Sequence, residues 1–178
     1  MSKKVPQLAF DIDNHLDKIQ DFPIPGILFY DISSLIGNAE AWTKTIDNLA
    51  MSIQDLNPET LFGIESRGFL IAGSLATKLG IGMQMIRKKG KLPGKTISST
   101  YELEYGQDAL EIQENAVKRG QRVVVVDDIL ATGGTMGAAI SLLENAGANI
   151  VTGCCIIELS FLNGRANVPA PFQSLISY

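Results

Sequence analysis

The chain has 178 residues and a formal net charge of −4, a size that suits one domain able to bury a core without disulfide or metal. Hydrophobic residues at 46% and charged residues at 19% exclude an intrinsically disordered chain. The net acidity argues against a nucleic-acid partner, which calls for clustered Lys and Arg to neutralise phosphates. No apolar run approaches the roughly 18 residues of a membrane span, and MSKKVPQLAFDIDNHL lacks the apolar segment of a secretion signal. A cytoplasmic protein with no membrane partner is therefore expected.

Residues 1–37 are mixed in character. Asp21-Phe-Pro-Ile-Pro-Gly26 is a turn-rich segment, and Ile27–Phe29 reads either as a short strand or as the wall of a pocket. Apolar residues at Trp42, Ile46, Leu49, Ala50 and Ile53 predict a helix over 41–53, broken by Asn57-Pro58. Thr60–Ile64 reads as a buried strand, Glu65–Gly68 as a turn, Phe69–Leu79 as a helix ending at Gly80, and Met83–Ile86 as a strand. Arg87, Lys88, Lys89, Lys91 and Lys95 then crowd together and should attract an anion. Pro93-Gly94 and the extended-favouring run Thr96–Tyr105 follow, and we read 88–106 as a mobile hairpin or flap. Gln107–Arg119 reads as a helix capped by Gly120, and Arg122–Val126 as a central strand buried on both sides. A glycine-containing turn leads to a helix through about Asn145, Ile150–Leu159 is a further strand, and the stretch from Asn163 is expected to wrap the surface. Strands alternating with helices predict an α/β fold with a central, mostly parallel sheet flanked by helices. The adjacent Cys154 and Cys155 lie in an apolar run and read as reduced core residues.

The most informative segment is Val123–Val126 followed by Asp127-Asp128-Ile-Leu-Ala131-Thr132-Gly133-Gly134-Thr135. A buried strand running into a small-residue loop at the start of a helix makes a phosphate cradle, because uncovered backbone N–H groups and the helix dipole converge there. The hydroxyls of Thr132 and Thr135 can donate to the same phosphate. Asp127 and Asp128 could accept from sugar hydroxyls and stabilise positive charge developing on a sugar ring. On the residues alone, the less favoured alternative is that the two aspartates only cap the next helix and the glycines serve only the turn. Neither G-x-x-x-x-G-K-[ST] nor G-x-G-x-x-G occurs in the chain.

This segment resembles the phosphoribosyl-pyrophosphate loop of type I phosphoribosyltransferases: hydrophobic strand, two acids, then A-T-G-G-T. Further blocks occur in order between residues 21 and 165: Asp21-Phe-Pro-x-Pro-Gly26, Phe29-x-Asp31-Ile-Ser33, Glu65-Ser-Arg-Gly-Phe69, Arg87-Lys-x-Gly-Lys-Leu-Pro93, Tyr101-x-Leu-Glu-Tyr-Gly106 and Glu158-Leu…Gly164-Arg165. They are similar to the adenine-specific branch of that family. The resemblance implies transfer of a phosphoribosyl group from phosphoribosyl pyrophosphate to adenine, giving AMP and pyrophosphate, with Mg²⁺ carried mainly by the substrate. It implies that Ala131, Thr132, Gly133, Gly134 and Thr135 hold the 5′-phosphate and that Asp127 and Asp128 face the ribose hydroxyls. Ser66, Arg67, Arg87, Lys88 and Lys91 would hold or neutralise pyrophosphate. Glu104 would be the acid/base on the flap, Tyr105 would help to order the closed flap, and Ile27, Leu28 and Phe29 would form the adenine wall in an N-terminal hood (1–37). In that family one basic residue comes from a neighbouring subunit, which implies a homodimer. Two positions depart from the pattern: Tyr30 stands where Arg or Lys is usual, and Ser34 where proline is usual.

Other readings remain open at this level. The base could be hypoxanthine, guanine or xanthine. The fold could serve a non-enzymatic sensor of phosphoribosyl pyrophosphate. Asp127 and Asp128 could be ligands of a metal-dependent phosphohydrolase, which would call for further carboxylates or histidines.

Overall fold

The computed structural model of the protein describes residues 11–102 and 107–178. A 3₁₀ turn over Ile12–His15 leads into β1 (Asp17–Gln20), which pairs antiparallel with β2 (Leu28–Asp31) as a separate two-stranded ribbon. The connecting turn closes on Gly26, whose φ of 89° suits glycine and whose N–H donates to Asp21 Oδ1 at 2.7 Å. Next come α1 (Ser33–Gly37) and α2 (Ala39–Ile53), the latter capped by Asn38, which accepts from the Ala41 N–H. The order then runs β3 (Thr60–Ile64), α3 (Arg67–Leu79), β4 (Gly82–Lys88), β5 (Thr96–Glu102), β6 (Gln107–Gln113), β7 (Arg122–Leu130), α4 (Gly134–Asn145), β8 (Asn149–Glu158) and β9 (Phe172–Ser177).

Seven strands form the main sheet in the order β5-β6-β4-β3-β7-β8-β9. The five strands from β4 to β9 are parallel to their neighbours, and the β5–β6 hairpin adds antiparallel to the β4 edge. The valines of β7 explain why it is central. Val124 and Val126 enter one core with Leu49, Ile53, Ile71 and Leu75 of α2 and α3. Val123 and Val125, pointing the other way, enter a second core with Met136, Ile140 and Leu143 of α4. A strand apolar on both faces has to lie between two helical layers.

Five sequence expectations need correction. Gln107–Arg119 is not a helix: 107–113 is β6, paired with β5 from Thr96↔Gln113 to Glu102↔Gln107. Leu110 and Ile112 are buried at two-residue spacing, and pairing to β4 and β5 overrides the helix propensity of the Glu, Gln, Ala and Leu around them. The stretch from Asn163 does more than wrap the surface, because 172–177 becomes the parallel edge strand β9 against β8. Strand β4 runs on to Lys88, so Arg87 and Lys88 project from a strand end and not from a loop. Strand β7 continues to Leu130, and α3 begins at Arg67, so both aspartates and the arginine sit on regular elements. The candidate flap over 88–106 contains β5, whose antiparallel partner β6 begins just after it, while Leu103–Gly106 lie outside the described residues. Among the described residues no helix is long and apolar enough to cross a membrane.

Candidate active site

Parallel β3 ends at Ile64 beside β7, with Gly63 opposite Val126, while β7 runs on to Leu130, and both hand over to helices at the carboxyl side of the sheet. Ligands collect at such carboxyl ends in open α/β sheets. Two glycines set the spacing. A Cβ on Gly68 would stand 2.6 Å from the Val126 carbonyl oxygen, and one on Gly63 would stand 2.8 Å from the Gly68 oxygen. The start of α3 therefore lies directly on the ends of both strands, and Arg67 reaches Asp128 Oδ2 with an N–O distance of 3.2 Å. A cavity of about 330 Å³ opens there, lined by Glu65, Ser66 and Arg67 after β3, Lys88 of β4, Asp108 of β6, Asp127 and Asp128 of β7, and Thr135 of α4.

The cavity holds charges of both signs. Asp128 is buried and Asp127 half-buried on consecutive positions of one strand. Desolvation and the neighbouring Asp128 carboxylate both push the Asp127 pKa well above its ordinary value. Lys88 Nζ pairs with Asp108 Oδ2 at 3.0 Å, and this contact holds the Asp108 carboxyl below its usual range. Burial opposes ionisation of Glu65, but the Arg87 guanidinium and the Lys88 N–H outweigh it and lower its pKa. Arg87 Nε lies 3.1 Å from Glu65 Oε2, and Arg87 also donates to the Lys91 carbonyl at 3.0 Å. The Lys91 and Leu92 amides donate to the buried Glu111 carboxylate at 3.0 and 2.8 Å. Lys88 thus faces the cavity, whereas Arg87 and Lys91 stand behind it and fix the shape of the segment that carries Lys88.

The small-residue loop is braced from outside the motif. Gly133 adopts φ 82°, where a side chain would be strained, and a Cβ there would lie 2.1 Å from the Gly164 oxygen. Reciprocally, a Cβ on Gly164 would lie 2.1 Å from the Ala131 oxygen. Asn167 Nδ2 donates to the Thr132 carbonyl at 2.8 Å. Arg165, between these braces, donates from Nε to Glu158 Oε1 at 2.6 Å and ties the segment to the end of β8. The backbone of Ala131–Gly134 is therefore held from behind, with Gly134 and Thr135 opening α4.

In the N-terminal segment, Phe29 is half-buried, packs edge-on to Phe22 with ring centroids 5.1 Å apart, and lies beneath the Arg67 guanidinium at 5.0 Å. Ile27 and Leu28 are exposed. Tyr30 points away from the cavity and packs against Tyr178. Ser34 donates to Asp17. Glu104 and Tyr105 lie outside the described residues. Of the sequence candidates, Ser66, Arg67, Lys88, Asp127, Asp128 and Thr135 share one cavity, with Ala131–Gly134 between Asp128 and Thr135. Sequence reasoning missed Asp108, hidden in the segment read as a helix. It also missed Glu111 and Asn167, which lie in no chemical motif and act only through contacts distant in the chain.

Comparison with known proteins agrees with this geometry. The phosphoribosyl transferase domain family matches residues 34–166. An adenine phosphoribosyltransferase of Rhodospirillum centenum is 56% identical over 168 residues, covering 94% of this chain and 98% of that protein. The crystal structure of adenine phosphoribosyltransferase from Thermoanaerobacter pseudethanolicus superposes with a TM-score of 0.91 at 43% identity, covering 94% of this chain and 98% of that one. The Saccharomyces cerevisiae adenine phosphoribosyltransferase, solved with an imino-altritol bisphosphate and adenine, gives a TM-score of 0.90 at 40% identity, covering 93% and 96%. A type I phosphoribosyltransferase fold, a braced small-residue loop at the start of α4 and likeness over 94% of the chain together mean that the chain belongs to the phosphoribosyltransferase family, in its adenine phosphoribosyltransferase branch.

Proposed function

We propose that the protein is a purine-salvage transferase that converts adenine and 5-phosphoribosyl 1-pyrophosphate to AMP and pyrophosphate. The observation that carries this reading is the cavity at the ends of β3 and β7, where Asp127, Asp128, Arg67 and Lys88 surround one space beside the Ala131–Thr135 loop. The bond from ribose C1 to pyrophosphate breaks, a bond from C1 to a purine nitrogen forms, and the purine loses a proton. The N–H groups and hydroxyls of Ala131, Thr132, Gly133, Gly134 and Thr135 hold the 5′-phosphate at the start of α4. Ser66, Arg67 and Lys88 hold the pyrophosphate, with Arg87 and Lys91 shaping the basic segment behind them.

Desolvation and, after it, repulsion from the neighbouring Asp128 carboxylate raise the Asp127 pKa in the resting site. Positive charge developing on the ribose ring relieves that repulsion, so the pair favours the transition state over the ground state. Mg²⁺ fits this donor set: hard carboxylate oxygens together with diphosphate oxygens suit it, and when bound it supplies charge neutralisation for the departing pyrophosphate. The exposed apolar side chains Ile27 and Leu28, with Phe29, form the adenine wall of the hood over 1–37. Residues 88–106 form a flap whose Glu104 exchanges a proton with a purine ring nitrogen and whose Tyr105 helps to order closure over the site. A homodimer is part of this reading through the resemblance to the family. A cytoplasmic location accords with the buried free thiols of Cys154 and Cys155.

The test is turnover with Mg²⁺, phosphoribosyl pyrophosphate and each purine base in turn, following nucleotide and pyrophosphate. AMP from adenine is expected, with kcat lowered about 10²–10⁴-fold in Glu104→Gln. Tight phosphoribosyl pyrophosphate binding without product from any base would leave a sensor in place of an enzyme. Phosphate release from a nucleotide without added base would indicate a phosphohydrolase.

A further inference from the structure

We propose that Tyr178 is a positioning residue for the base-binding ribbon: its ring, stacked on Tyr30, sets where β2 holds Phe29. The register of the ribbon separates its two faces. Lys18 lies opposite Tyr30, and Ile19 opposite Phe29. Opposed residues share a face and successive residues alternate, so Lys18 and Tyr30 look one way and Ile19 and Phe29 the other. The Phe29 face meets the candidate active site, with the Arg67 guanidinium 5.0 Å from the ring centroid. The Tyr30 face meets Tyr178.

Three contacts converge on the Tyr178 ring. The Tyr30 ring lies at 4.4 Å between centroids with a 31° tilt, and Tyr30 is only 8% exposed. Lys18 Nζ sits 4.8 Å over the same Tyr178 ring. The Tyr178 hydroxyl donates to Asp13, which also pairs with Lys18 at 2.8 Å. The backbone of Tyr178 is anchored in turn to the main sheet. Its N–H donates to the Glu158 carbonyl at 2.9 Å, and its carbonyl accepts from the Ser160 N–H at 2.9 Å and from the Ser160 hydroxyl.

This anchoring matters because the ribbon has four residues in each arm and, among the described residues, pairs with no other strand. An isolated two-stranded ribbon is marginal in water, so side-chain contacts have to set its orientation. The Tyr178 clamp joins it to β8 and β9, the layer whose Arg165 segment also braces the phosphate loop. The departure at position 30 then has a structural role. In place of a positive charge near the substrates, Tyr30 supplies the ring that Tyr178 grips. Substrate contacts remain with Phe29 on the opposite face.

The proposal rests on the assignment of Ile27–Phe29 to adenine, and the experiment separates the two. Michaelis constants for adenine and phosphoribosyl pyrophosphate are measured in Tyr178→Ala, Tyr178→Phe and Phe29→Ala, with a thermal melt of each. Tyr178→Ala is expected to raise KM for adenine about tenfold, the upper range for one aromatic pair, and to leave KM for phosphoribosyl pyrophosphate within about twofold. Tyr178→Phe keeps the stack and is expected to bring the adenine KM back to within about threefold of the parent. Should the alanine variant not fold, Tyr178→Leu, which fills the space without a planar ring, takes its place with the same expected split. An adenine KM unchanged in Tyr178→Ala but raised in Phe29→Ala overturns the clamp. Both KM values rising equally, in step with a lost Tm, overturns it too. An adenine KM unchanged in Phe29→Ala overturns the base-site assignment and this proposal with it.

Discussion

Gly164→Ala pushes on the Ala131–Thr135 loop without altering any residue proposed to touch substrate. Its added Cβ would stand 2.1 Å from the Ala131 oxygen and 3.1 Å from the Gly133 nitrogen, and real Cβ contacts essentially never fall below 3.0 Å. The target atoms are backbone, so no rotamer change relieves the overlap, and the Ala131–Gly133 segment or the Gly164 turn has to move by about 1 Å. The Asn167 bond to Thr132 on the same loop resists that movement. A misplacement of about 1 Å in a positioning loop costs about 10²-fold, so kcat/KM for phosphoribosyl pyrophosphate at saturating adenine is expected to fall by that factor. Overpacking should also cost about 2 kcal/mol of stability, or roughly 6 °C in Tm for a chain of this size. Gly73→Ala is the control, because a Cβ there meets nothing within 4 Å. Initial rates with varied phosphoribosyl pyrophosphate, beside thermal melts of both variants, provide the measurement. A Gly164→Ala enzyme within about threefold of the parent kcat/KM, with an unchanged Tm, would refute the argument that this glycine pair spaces the loop.

Asp127→Asn should separate stability from activity. The folded-state pKa of Asp127 is raised, so its ionised form opposes folding as pH rises above the ordinary value of 3.8. The neutral amide should therefore add about 1 kcal/mol, or ~3 °C in Tm at neutral pH, while turnover falls; a lower Tm would contradict the like-charge reading. Acid stability should follow the opposite sign, because Glu65, Glu111 and Glu158 all have folded-state pKa values below their ordinary 4.5. Their contribution is fully present above 4.5 and is lost as pH falls through the depressed folded-state values, so urea midpoints should drop steeply below that pH. Glu158→Gln, which loses its charge partnership with Arg165, should flatten that acid limb, and an unchanged limb would count against the assignment.

Local chemistry alone disclosed much of this protein. The valine run declared a strand covered on both faces, the Asp127–Thr135 segment declared a small-residue loop entering a helix, and Asn57-Pro58 and Gly80 marked where helices stop. These signals work because periodicity, turn geometry and the exposure of backbone N–H groups are properties of neighbouring residues. The β6 segment was misread for the complementary reason. Its residues favour a helix, and only pairing with β4 and β5 makes 107–113 extended. The same holds for β9, whose strand exists because β8 offers an edge. Tertiary structure alone decided that Gly164 and Asn167 brace a loop some thirty residues away, that Arg87 serves Glu65, and that Tyr30 stacks on Tyr178. Residue type and spacing indicate what a side chain can do. Which partner it meets depends on contacts between segments far apart in the chain, and those form only when the sheet brings its strand ends together.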